Sequence, residues 1–105
     1  MRIVAAADHG GFEMKNQIVA NLRAQGFDVE DLGTNSADSV DYPDFAKKTV
    51  AKLLTQEADL GILVCGSGIG ISIAANRHKG IQAALLYDDY VAKVAREHNN
   101  ANVLC

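Results

Sequence analysis

The chain has 105 residues, with 10 Lys and Arg against 13 Asp and Glu and a formal net charge of −3, a length that holds one domain and excludes two. Without a basic excess it is not built for nucleic acid or for a polybasic membrane surface, and no apolar run approaches the roughly 20 residues of a membrane span. Met1 to Gly11 lacks the apolar length and cleavage site of a secretory leader, so Cys65 and Cys105 are expected as reduced thiols in a cytoplasmic protein.

Arg2 to Ala7 is a short apolar run closed by Asp8, His9, Gly10 and Gly11, which predicts a buried strand and a turn. Phe12, Ile18, Val19 and Leu22 form a helical stripe over residues 12–24, with Gly26 as its C-terminal cap. Residues 27–32 alternate and predict a second strand, and 33–41 an irregular polar loop. Pro43 suits the first turn of a helix that runs from Tyr42 to about Thr55, because its missing N–H costs little there.

Leu60 to Cys65 is apolar throughout, as in the centre of a parallel sheet. Gly66 to Gly70 turns the chain into a helix predicted from Ile71 to about Lys79 and closed by Gly80. Residues 81–86 are the next strand, Asp88 caps a helix to about Asn99, and Asn102 to Cys105 begins a fifth strand. The alternation predicts a three-layer, Rossmann-like α/β sandwich on a five-stranded parallel sheet, with right-handed crossovers. Its last strand lies at the C-terminus with no final helix over it, so one edge or face of the sheet is expected to be exposed.

Ligands of such sheets sit beyond the carboxyl ends of the strands, where the strand order reverses. That points to Asp8 to Gly11, to Cys65 to Gly70, and to Tyr87 to Asp89. Cys65 at a strand end, three alternating glycines and a helix N-terminus make a candidate nest of N–H donors whose field favours a thiolate. A small core Cys followed by a tight turn gives the same residues. The glycine spacing matches neither a dinucleotide fingerprint nor a P-loop. Asp88 suits a ribose contact or, more simply, a helix cap. Asp8 and His9 end the first strand and are either turn chemistry or site residues. His98 near a helix C-terminus suits a dipole contact as well as a site, and His78, in a basic last turn, reads as structural. Cys65, Ser67, the nest and two imidazoles are expected on one edge of the sheet, an acid–base kit for moving a proton beside a carbonyl. No metal-ligand spacing and no cofactor motif is present.

Asp8-His9, Asp41-Tyr42-Pro43, the run from Cys65 to Asn76 and the run from His98 to Leu104 resemble ribose-5-phosphate isomerase B along the whole chain. The wider family includes the two galactose-6-phosphate isomerase subunits, of which one keeps the Cys and the other the His; both Cys65 and His98 are here. The resemblance implies a sugar-phosphate isomerase without metal or cofactor. Cys65 would move the proton between C1 and C2, and Ser67 the hydroxyl proton. The N–H groups of Gly66, Gly68, Ile69 and Gly70 would hold the enediolate. His98, helped by Asp8, would open the sugar ring, His9 would meet the phosphate, and Tyr42 and Asn99 would line the pocket. It also implies a homodimer or dimer of dimers, with His98 or Asn99 reaching a site whose Cys65 belongs to the other chain.

Family members are longer and carry C-terminal arginines that clamp phosphate; Arg2, Arg23, Arg77 and Arg96 match none of them. Low activity of these 105 residues alone is therefore expected. Alternatives are a galactose- or allose-6-phosphate isomerase, a non-catalytic remnant or partner subunit, and a nucleotide-binding module with Asp88 on a ribose.

Overall fold

The computed structural model describes all 105 residues. Five strands, β1 (Arg2–Ala7), β2 (Asp28–Asp31), β3 (Leu60–Val64), β4 (Ala83–Ala84) and β5 (Val103–Leu104), alternate with four helices, α1 (Phe12–Ala24), α2 (Tyr42–Leu54), α3 (Ile69–Asn76) and α4 (Asp89–Glu97). All strand pairs are parallel, in the order β2-β1-β3-β5-β4. The predicted α/β sandwich is therefore present. β2 and β3 lie on opposite sides of β1, so the strand order reverses between β1 and β3.

Burial explains the layering. Every residue of β1 after Arg2 is buried, and successive side chains enter different cores. Val4 and Ala6 join Phe45, Val50, Leu63, Ile71 and Val103 in a cluster of 12 buried residues beneath α2 and α3. Ile3 and Ala5 join Val19 and Val29 beneath α1. The crossover from β4 back to β5 reverses direction, so right-handedness puts α4 on the α1 side. Between α1 and α4 that face stays open, as expected: Met14, Ile18, Ile62 and Leu104 line an apolar groove of 440 Å³.

Several boundaries differ from the sequence prediction for identifiable reasons. β4 is two residues long rather than six because its neighbour β5 is equally short. α3 begins at Ile69, two residues early, because Gly68 at φ +78 already ends the turn. It stops at Asn76, whose side chain leaves the helix and exchanges two hydrogen bonds with the Ala83 backbone, at 2.9 and 2.7 Å. In α1 the buried residues are Lys15 and Val19, with Phe12, Ile18 and Leu22 only half-buried. No helix is long and apolar enough to cross a membrane.

Candidate active site

Two turns meet at the switch in strand order. The N–H of Asp8 donates to Val64 O at 3.2 Å, continuing the β1–β3 contact past the ends of both strands. Asp8 is buried, and its Oδ1 accepts from the N–H groups of Gly10 and Gly11 at 2.9 and 3.1 Å. The turn then presses on β3: a Cβ on Gly11 would lie 2.4 Å from Val64 O, so only glycine fits. A Cβ on Gly10 would lie 3.5 Å from Gly66 Cα, which puts the β1 turn directly against the β3 loop.

In that loop Cys65 is half-buried, and Gly68 N–H donates to its sulfur at 3.1 Å. Ser67 is exposed, with Oγ accepting from Ile69 N–H at 3.2 Å, so its own hydroxyl proton remains free to donate. The N–H groups of Gly66, Ser67 and Gly70 make no hydrogen bond within the chain. Three open donors at a helix N-terminus form a cradle for negative charge. The Tyr42 ring closes one side, for a Cβ on Gly70 would meet it at 2.8 Å. His9 is exposed and accepts from Val40 N–H through Nδ1 at 3.2 Å.

Cys105, at the end of β5, stands beside this loop. Burial, with Cys65 as a second cause, pushes its thiol up to about 12. Thus Asp8, His9, Tyr42, Cys65, Ser67 and the Gly66–Gly70 backbone are gathered at one edge.

His98 and Asn99 are not. A crossover helix runs antiparallel to the strands it joins, so α4 carries them to the amino-terminal edge, where both are exposed. His78, at the end of α3, goes the same way. The expectation of two imidazoles on one edge of a single chain is therefore corrected: of the candidate pair, only His9 is there. Asp88 does cap its helix, Oδ1 accepting from Val91 N–H at 2.8 Å. No group of three or more His, Cys, Asp or Glu side chains is placed to hold a metal ion.

One residue escapes sequence reasoning. Lys15 is fully buried, with Nζ donating to both Asp31 carboxylate oxygens at 2.8 Å and to Asn35 Oδ1 at 2.6 Å. The available signal is its spacing, a charge four residues before Val19 on the buried stripe.

The fold and its loops define a parallel α/β enzyme of the sugar-phosphate isomerase class. The profile of the Ribose/Galactose Isomerase family matches residues 3–105. Ribose-5-phosphate isomerase B of Escherichia coli is 45% identical over 103 residues, covering 98% of this chain and 69% of the relative. The solved ribose 5-phosphate isomerase of Thermotoga maritima superposes with a TM-score of 0.96 at 54% identity, over 98% of this chain and 71% of that one. Ribose-5-phosphate isomerase B of Clostridium thermocellum gives 0.97 at 47% identity, over 99% and 70%. The chain belongs to the ribose/galactose isomerase family, and its reaction class is aldose–ketose isomerisation of a sugar phosphate.

Proposed function

We propose that the protein interconverts ribose 5-phosphate and ribulose 5-phosphate through an enediolate, with Cys65 as the base. The observation that carries this reading is the cradle of unpaired Gly66, Ser67 and Gly70 N–H groups beside a thiol that itself accepts a hydrogen bond. Cys65 takes the proton from C2 of the open-chain aldose, the C1–C2 double bond forms, and negative charge grows on oxygen. The free N–H donors of the cradle meet that charge as it develops, where preorganised donors lower the barrier. Ser67 passes a hydroxyl proton between O1 and O2, and Cys65 returns its proton to C1, so the step is redox-neutral overall. His9 meets the phosphate, and Tyr42 lines the sugar pocket.

Ring opening is assigned to His98 of the partner subunit with Asp8, no hydrogen bond within the fold engaging Asp8 Oδ2. Asn99 of the partner subunit lines the same pocket. The position of His98 at the far edge of its own sheet supports this division between copies. So do exposed apolar residues around the cradle, Ile69 at 52% and Ile73 at 51% exposure, which a second copy would cover. Comparing kcat/KM for ribose 5-phosphate, allose 6-phosphate and galactose 6-phosphate tests the substrate. A clear preference for a six-carbon phosphate would replace the pentose reading.

A further inference from the structure

No role proposed above uses Lys15, yet it is the one lysine buried completely. An ammonium survives burial only with a full set of acceptors, and the acceptors here join two segments: Asp31 ends β2, while Asn35 begins the loop that leads to α2. Lys15 N–H donates to Gly11 O at 2.9 Å, so the lysine stands one helical turn behind the turn that carries His9. At the far end of the same loop, Val40 N–H donates to His9 Nδ1 at 3.2 Å. A backbone N–H can only donate, so Nδ1 is the acceptor and the proton of the neutral ring sits on Nε2. The loop is thus tied at both ends to the α1 entrance, once through Lys15 and once through His9.

We infer that Lys15, acting through Asn35, is a positioning residue that holds residues 35–41 so that Val40 fixes His9 in its Nε2–H form. That N–H then faces outward as a donor to the phosphate of the substrate. The inference rests on the reading that His9 meets the phosphate. The two Asp31 oxygens tie α1 to β2, and the third acceptor, Asn35, extends the tie to the loop. Asn35 is exposed, and Lys15 is the sole hydrogen-bond partner of its side chain. Asn35→Ala therefore cuts the tether and leaves the ion pair intact.

The test uses the full chain with 15N-labelled histidine, and NMR correlations within each ring at a pH where the imidazoles are neutral. In the wild type His9 is expected wholly as the Nε2–H tautomer. In Asn35→Ala a mixture of tautomers is expected, with a lowered thermal midpoint because one Lys15 Nζ–H loses its acceptor, and the tautomer of His9 is the readout that a purely structural lysine would not move. Inorganic phosphate, and then ribose 5-phosphate, should shift Nε2 of His9 in the wild type, with binding about tenfold weaker in the variant. Lys15→Met should act in the same direction; if it does not fold, Asn35→Ala decides alone. An unchanged tautomer and affinity in Asn35→Ala, with His9 still answering phosphate in the wild type, overturns the positioning role alone. No response of wild-type His9 to either probe overturns the phosphate reading itself, and the purpose of the clamp with it.

Discussion

His98 and Cys65 of one chain stand at opposite ends of the sheet, separated by the length of β3, roughly 16 Å at a strand rise of about 3.3 Å per residue. Side-chain motion cannot close that gap, so if both serve one site they come from different copies. Mixing a Cys65→Ala chain with a His98→Ala chain is then expected to restore activity that neither has alone. Random pairing of a two-fold dimer leaves about a quarter of the sites intact. No recovery on mixing, with both variants folded and dimeric, would place the two residues outside a shared site.

Cys65→Ala should lower isomerisation and solvent-proton exchange at C2 by about a hundred- to ten-thousandfold, the usual contribution of a positioned base. Its circular dichroism should match the wild type, because the side chain is only half-buried. Exchange at the wild-type rate in this variant would remove Cys65 from the mechanism.

The Cys105 thiol is expected to make stability depend on pH. Cys105 is pushed up to about 12 from an ordinary 9.0, chiefly by burial. Between those values the folded chain keeps a proton that the unfolded chain releases. Stability from this group is therefore full below pH 9 and falls above it, by about 1.4 kcal/mol per pH unit. Urea unfolding followed from about pH 8 to about pH 10 should show this slope in the wild type and not in Cys105→Val. Parallel curves for the two proteins would contradict it.

Two glycines separate packing from chemistry. Gly11→Ala drives a Cβ to 2.4 Å from Val64 O and should cost about 1–3 kcal/mol or more in unfolding free energy. A Cβ on Gly66 meets nothing within 4 Å, so Gly66→Ala should stay within about 0.5 kcal/mol of wild type. Urea midpoints measured side by side decide the comparison.

Much of this arrangement is legible in the sequence, because the central elements are extreme in composition. β1 after Arg2 and all of β3 carry no polar side chain, and interior parallel strands need that. Asp88 and Pro43 sit where capping and first-turn rules put them. The shortness of β4 is not legible, since residues 81–86 carry no sign that their only neighbour pairs over two positions. The start of α3 is missed because Gly70 reads as a turn residue, whereas it fits within the first helical turn against the Tyr42 ring. The misplacement of His98 is of another kind. Chain direction through a crossover helix already decides which edge it reaches, and residue chemistry alone passes over that. Lys15 hides because a charged residue on a buried stripe resembles an ordinary interruption until its three acceptors are seen together.

The strand order has a consequence for how the chain can be assembled. β4 touches no strand but β5, and β5 follows the other four in chain order. Until Val103 and Leu104 insert, β3 presents an unpaired edge and β4 has nothing to pair with, even though both were synthesised earlier. Completion of the sheet therefore waits for β5, and exposed strand edges of this kind invite wrong partners while they wait. The segment that finishes the scaffold also carries Cys105 to its place beside the Cys65 loop, so the sheet and the wall of its site close in the same late event.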